Sequence, residues 1–590
     1  MCLDGMFPKM KAIEKVKNSI IGLRHSVERY PLTLILSTIL FILLITMNEI
    51  RDTSPDSIEE LVRYAMTLGL SLPLSISIAH LNEGVFHKKP VYQAAAFVTG
   101  AVLLLLAFLF LTKDRDMVDR IRYTGTMLLF ILSVFFTQRL KDHLNYETYV
   151  IRVFYAIFLT ALYAGVLYFG ISAIIFTIDN LFDANIDSKY YYYSFLFVSL
   201  LFALSMFLSK LPKVGDTFED HSYSRALRVL LLYIVIPLIT IYTAILYVYF
   251  AKIIITQVWP RGLVSNLVLW YSAVSVAVIF FITPVLEDYG VARLFRNFFP
   301  KLVLPILAMM FVSIGLRIGQ YGVTENRYYV VLLGIWVLVA MMYFNLRKNL
   351  RNIFLPVSLA VFILVSLYGP LSSFSISSFS QNARFRSILE DNRMLVNGAV
   401  TASSNVPEAD RQELSNIIEY FSSRGLERLD YVEPGFSISD MEEVFGFPYE
   451  PRYGYEGSEN FYFYHENQNE PVEVSGYDFY LNTSTYNTPI PDIGDVSLTY
   501  SRTTGILTFR DVTGILLEVD FNTYMNTLKE RTERGAFNEK SMLTLDQVTF
   551  TEQNDRLDVK FVIYNMNGIM RGDTLQVEGS NFLLFMRKVR

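Results

Sequence analysis

Hydrophobic and polar positions divide this chain into two unlike parts. From about Tyr30 to about Pro370, long apolar runs alternate with short charged connections, and after Gln381 no run is long enough to cross a membrane. A helical crossing needs about 20 mostly apolar residues. Eleven runs meet or approach that length: Tyr30–Met47, Leu61–Ala79, Val91–Leu111, Tyr123–Thr137, Val150–Ile178, Tyr190–Ser209, Leu227–Tyr249, Leu263–Val285, Leu302–Ile318, Tyr328–Phe344 and Ile353–Leu371. The second is diluted by Ser71, Pro73, Ser75 and Ser77, which membrane helices tolerate when neighbours satisfy the backbone. Residues 30–372 are therefore expected to form a polytopic all-α membrane bundle of about eleven transmembrane helices. Residues 1–29 read as a cytoplasmic amphipathic arm and 373–406 as a linker.

Beyond the linker the pattern changes. Leu414, Ile417, Ile418 and Phe421 recur at helical spacing within Pro407–Arg424, and Gly425 would end that helix. Ile506–Arg510, Ile515–Val519 and Leu557–Ile563 alternate as strands do, and further strands are expected at Phe461–Tyr464, Tyr477–Tyr480 and Asn581–Met586. Gly505 and Gly514 read as turn residues, Asp520, Asn522 and Asn526 punctuate the chain after Val519, and Gly446–Glu459 and Asn482–Asp495 read as loops. Residues 407–590 are expected to be a soluble α+β domain, mostly β.

Composition narrows the function. Of 590 residues, 52% are hydrophobic and 18% charged, below the roughly 25% charged usual in soluble domains. The net charge is -5 and no basic tract occurs, so nucleic acid is not an expected partner. Cys2 is the single cysteine, which excludes an intramolecular disulfide and a cysteine zinc site, and no two of the six histidines stand at metal-ligand spacing. No P-loop, dinucleotide fingerprint or zinc-protease helix is present. No metal or cofactor is expected, and the balance is against an enzyme.

Basic residues set the direction of threading. Lys88, Lys89, Arg139, Lys141, Lys210, Lys213, Arg225, Arg228, Arg293, Arg296, Lys301, Arg347, Lys348 and Arg351 fall in connections on the N-terminal side. The opposite connections carry Asp52, Asp56, Glu59, Glu60, Asp179, Asp183 and Asp187, with one mixed loop at Lys113–Arg122. An odd number of crossings then puts the N-terminus in the cytoplasm and the C-terminal domain outside it. A disulfide-free domain in that position suits a bacterial cytoplasmic (inner) membrane.

Three charged clusters are candidate contact sites. Arg139, Lys141, Asp142, His143 and Glu147 combine both signs beside the inner face, where they would hold a lipid headgroup or an anion, or else form a salt-bridged loop. Arg293 and Arg296 would attract anionic lipid or simply fix topology. Arg317, Glu325 and Arg327 are the expected contact for the outer domain. Pro73, Pro237, Pro284 and Pro305 are candidate helix breaks, read as kinks or as openings for a substrate.

The segments Glu28-Arg29-Tyr30-Pro31-Leu32-Thr33-Leu34, Leu181-Phe182-Asp183 leading to Asn185-Ile186-Asp187, and Leu211-Pro212-Lys213 give the chain its family likeness. In that order they resemble bacterial multipass membrane proteins grouped as domain of unknown function 4153. The resemblance implies multipass architecture and carries no catalytic residues. The expected function is an envelope membrane protein whose helices carry an extracytoplasmic binding or sensing module. Membrane lipids are its expected partners, with an envelope protein or polysaccharide at the module. A transporter or lipid or polymer exporter, and an integral-membrane transferase, are the alternatives.

Overall fold

The computed structural model describes residues 24, 26–51, 55–87, 89–113, 116–142, 144–216, 223–257, 263–422, 424–433, 435–449, 460–467, 470–485, 490–533, 541–571 and 574–589. Most of the amphipathic arm, His143, Lys88, Arg115 and the loop from 450 to 459 lie outside these residues. Two units form, one of residues 1–400 with 420–436, the other of residues 401–419 with 437–590.

The first unit is built from apolar helices, and proline sets the start of the first three. Pro31, Pro55 and Pro90 each open a helix, a position where the missing N–H costs nothing. Among the described residues, ten helices are long and apolar enough to cross a membrane. They are α1 (Pro31–Ile50), α2 (Ile58–Gly84), α3 (Pro90–Phe110), α4 (Met117–Arg139), α5 (Tyr146–Phe182), α6 (Lys189–Lys210), α7 (Arg225–Thr256), α8 (Ser265–Val285), α9 (Gly290–Tyr321) and α10 (Glu325–Leu346). The eleventh expected crossing is a shorter apolar helix, α11 (Phe354–Leu367), of 14 residues.

Burial divides these helices by role. The core draws Val268, Ile279 and Ile282 from α8, Val303, Ile306 and Met310 from α9, and Val337, Met341 and Phe344 from α10. In contrast, α3 exposes Val98, Leu105 and Phe110, and α5 exposes Phe158, Val166 and Phe169. Exposed apolar surface on this scale is stable against lipid, not water. The serine-rich α2 is a full-length helix, and Ser71, Ser75 and Ser77 are buried in it. Among the described residues, two helices contain π-helical segments, Phe197–Ala203 in α6 and Leu230–Val235 in α7.

The stretch expected to be a linker carries α12 (Ser373–Asp391), capped by the Ser372 side chain, and the short hairpin of β1 (Leu395–Val396) and β2 (Ala399–Val400). Phe374, Phe385 and Leu389 are buried on α12. A helix α13 (Glu408–Ser422) follows, close to its expected bounds, and then the short α14 (Met441–Phe445).

The second unit holds a six-stranded sheet and a three-stranded one. The larger comprises β3 (Asn460–His465), β4 (Phe479–Ser484), β8 (Ser541–Leu543), β9 (Thr549–Gln553), β10 (Leu557–Arg571) and β11 (Thr574–Lys588). Its order is β4-β11-β10-β3-β8, with β9 also pairing β10. The smaller is β5 (Ser497–Ser501), β6 (Ile506–Asp511) and β7 (Gly514–Asp520) in sequence order. Gly505 (φ 75) and Gly514 (φ 128) occupy the turns at either end of β6, where positive φ favours glycine.

Here the polar punctuation after Val519 misleads. Asp520 begins a helix, α15 (Phe521–Glu533), by accepting hydrogen bonds from the Asn522 N–H (2.9 Å) and the Thr523 hydroxyl (3.2 Å). Phe521, Tyr524, Met525 and Leu528 give it a buried face, and Phe521 packs edge-on against Phe561 and Phe582 of the large sheet. The expected loop at Asn482–Asp495 also begins late, because β4 runs to Ser484.

Candidate functional site

The face at which α1 begins gathers the ends of several helices around one arginine. Arg29 Nε and Nη2 donate to the two carboxylate oxygens of Glu83, each at 2.7 Å. Its Nη1 donates to the Leu211 carbonyl (2.8 Å) and Nη2 also to that of Pro212 (2.9 Å). Gln138, at the end of α4, donates to Glu83 (3.3 Å) and to the Pro212 carbonyl (3.1 Å). One guanidinium thus ties the start of α1 to the end of α2 and to the chain after α6. Burial opposes the charge on Arg29, yet the hydrogen bonds it donates to Glu83 and the neighbouring charges together raise the guanidinium pKa.

A cleft of about 600 Å³ opens here, lined by Glu28, Arg29, Glu83, Gly84, His87, Lys213 and Val214. Its floor is tight. A Cβ on Gly84 would lie 2.2 Å from the Gln138 carbonyl oxygen, so only glycine lets the two backbones approach so closely.

Behind the floor a buried polar seam enters the bundle. His80 is fully buried between the Tyr30 hydroxyl (2.9 Å from Nε2) and the Val134 carbonyl (3.2 Å from Nδ1). A carbonyl can only accept, so it fixes the proton on Nδ1 and leaves Nε2 to accept from Tyr30. Thr33 meets Ser75 at 2.8 Å, Ser77 meets Ser133 at 2.6 Å, and Ser37 donates to the Leu200 carbonyl at 2.6 Å inside the π segment of α6. In hydrocarbon these bonds replace water for groups that would otherwise be unsatisfied.

The three expected clusters are distributed differently. Arg139 is buried, pairs with Asp142 (3.1 Å) and lies over the Tyr149 ring. Lys141 donates to the Val85 carbonyl (2.5 Å). Glu147 instead accepts from Asn352 (2.6 Å), whose amide also donates to Thr283 (3.0 Å), so it joins α5 to α8 and to the start of α11. His143 lies outside the described residues. Arg293 donates to the Leu286 and Glu287 carbonyls, and Arg296 to that of Arg347. Both cations thereby serve the last carbonyls of neighbouring helices.

Glu325 is 4% exposed and accepts from Arg424 (2.9 and 3.2 Å) and from the Tyr420 hydroxyl (2.8 Å). Arg424 also stacks on the Tyr420 ring at 4.0 Å. Burial, then the nearby Glu325 charge, pushes the Tyr420 phenol upward. Arg327 closes the α9–α10 turn by donating to the Tyr321 and Gly322 carbonyls, and Arg317 is half-buried one turn before the end of α9. Of the prolines, Pro73 and Pro305 lie inside α2 and α9, the latter accompanied by Pro300. Pro237 follows the π segment of α7, and Pro284 sits in a terminal 3-10 turn of α8.

Sequence reasoning missed the Arg29–Glu83 centre. It ended the second run at Ala79, so Glu83 fell in a loop, and it placed Arg29 only at the end of the amphipathic arm and in the segment of family likeness. The available signal was His80 and Glu83 one turn apart, continuing the helical phase of the buried serines.

Long apolar helices followed by a unit of mixed helices and sheets define a multipass membrane protein. Residues 39–403 match the family model described as Domain of unknown function (DUF4153), and the chain belongs to that family. It is 25% identical over 488 residues to Uncharacterized protein PM1469 of Pasteurella multocida (strain Pm70), a match covering 80% of this chain and 74% of that protein. No solved structure matches the chain.

Proposed function

We propose that the protein is a bacterial inner-membrane protein whose bundle of eleven crossings holds residues 437–590 on the extracytoplasmic side as a binding or sensing module. The observation that carries this reading is the pair of anchors on α11. Asn352, just before it, bonds Glu147 and Thr283, at the beginning of α5 and the end of α8. At its other end the Leu367 carbonyl accepts from Arg122 and the Leu371 carbonyl from Tyr328, at the beginnings of α4 and α10. These anchors belong to opposite faces of the bundle. Although 14 residues rise only ~21 Å, short non-helical flanks complete the crossing. An odd count leaves the two ends of the chain on opposite sides, and the basic connections favour a cytoplasmic N-terminus.

A phosphatase fused after Arg590 should be active and a fluorescent protein fused there dark, since each matures on one side only; the reverse pair of results would refute the orientation. For the module, isolated envelope polysaccharide added to the full chain in nanodiscs should slow amide exchange in β3, β4 and β10. Unchanged exchange with polysaccharide and with envelope protein extract would remove the binding reading.

A second reading, a transporter or exporter, is favoured by the π-helical segments of α6 and α7, the latter running into Pro237. Such segments mark functional bends in helices. Proteoliposomes containing the full chain should then move labelled phospholipid faster than protein-free vesicles, and equal rates would discard it.

A further inference from the structure

We propose that the cleft beside Arg29 binds the headgroup of a membrane phospholipid bearing both a phosphate and an ammonium, as phosphatidylethanolamine does. Three observations carry this. The first is charge. Arg29 is committed to Glu83 and to the Leu211 and Pro212 carbonyls. In contrast, neither the Lys213 ammonium nor the His87 ring has a hydrogen-bond or ion-pair partner among the described residues, although the Lys213 backbone is fixed by its N–H to Asp216 at 2.8 Å. Two donors on the rim therefore face the opening and suit a phosphate. Glu28, paired with Arg24 at 2.9 Å, and Glu83, which already accepts from Arg29 and Gln138, line the same cleft. Carboxylate oxygens accept more than one hydrogen bond, so the pair suits an added ammonium and disfavours a headgroup of purely negative charge.

The second observation is depth. The cleft lies where α1 begins and α2 ends, at the level where headgroups sit. The third is the neighbouring surface. Val214 lines the cleft and is 50% exposed, and Val27 is 56% exposed. From there α1 carries an exposed stripe of Leu32, Ile35, Ile39 and Ile42 at helical spacing. A soluble phosphate has no use for such a stripe, whereas acyl chains do. The volume of about 600 Å³ lies in the range of small-ligand sites, roughly 300–1,000 Å³. Two segments that carry the family likeness thus meet at one site: Glu28 and Arg29 from the first and Lys213 from the second line the cleft.

Native mass spectrometry of the full chain reads this directly, with dioleoylphosphatidylethanolamine, dioleoylphosphatidylglycerol and phosphoethanolamine as separate probes. The ethanolamine lipid should bind at least about tenfold more tightly than either other probe. Lys213→Glu should lower its affinity by about tenfold or more, while the melting temperature stays unchanged. His87→Ala should weaken binding in the same direction, and decides the matter if Lys213→Glu lowers the melting temperature. Equal binding of the ethanolamine lipid by wild type and the decisive variant would overturn the proposal. So would preference for the glycerol lipid, or equally tight capture of free phosphoethanolamine.

Discussion

Arg29 illustrates how one residue can organise a membrane protein. Its side chain keeps 13% of its surface exposed and that of Glu83 keeps 31%. Losing one partner of a buried pair costs roughly 3–5 kcal/mol, and the partial exposure of Glu83 lowers that to about 1–3 kcal/mol here. Glu83→Gln should therefore lower the melting temperature in detergent, and Arg29→Met combined with Glu83→Met should recover part of the loss. A double variant as unstable as the sum of the singles would argue against a pairwise tie. Gly84→Ala tests the same junction by sterics: relieving a backbone clash costs about 1–3 kcal/mol, so the variant should melt earlier than wild type. An unchanged midpoint would mean the two backbones are not in close approach. Little of this was legible in the sequence, because Arg29 and Glu83 are 54 positions apart and neither has a local signature for the other.

At the scale of elements, apolar length was a dependable guide. Each of the ten long helices overlaps the run that announced it, since hydrocarbon leaves the backbone no alternative partner to itself, although α9 begins at Gly290, well before the expected Leu302, and α7 runs past Tyr249 to Thr256. Errors fell where polar residues were read as breaks. Asp520, Asn522 and Asn526 were expected to interrupt the chain, yet Asp520 caps α15 and the phase of Phe521, Tyr524, Met525 and Leu528 was the better signal. The π segments had no sequence counterpart beyond Pro237, because a widened turn depends on what fills it. In α6 that is Ser37, which donates to the Leu200 carbonyl. Ser37→Ala removes this hydrogen bond and should destabilise the protein by about 0.5–1.5 kcal/mol, read by thermal unfolding and by faster exchange confined to α6. Protection that is unchanged in α6 would refute the role given to Ser37. Glu325 performs a similar service between elements, holding Arg424 and Tyr420 at the start of α10. Glu325→Gln should weaken that hold and make residues 420–436 more susceptible to trypsin in the folded protein. A cleavage rate equal to wild type would show that the ion pair does not order this segment.

For the whole molecule, the same contacts sort helix ends into two sets. Arg29, Glu83, Gln138, Glu147, Thr283, Arg296 and Asn352 belong to one face. Glu49 with Lys189, Arg63 with Phe108, Arg122 with Leu367, and Glu325 with Arg424 belong to the other. Alternation along the chain is unbroken only if α11 crosses as well, and that is the central claim. The sequence pattern asks for eleven crossings and the length of α11 alone argues against the last; the hydrogen bonds at both its ends are what support the proposal that it crosses. Because Cys2 is the only cysteine, a Cys2→Ser background gives a clean labelling experiment. Val512 is 99% exposed between β6 and β7, and Val214 is 50% exposed beside the Arg29 cleft. In intact spheroplasts a membrane-impermeant maleimide should modify Val512→Cys at once and Val214→Cys only after permeabilisation. Labelling of both positions from the same side of the membrane would contradict eleven crossings.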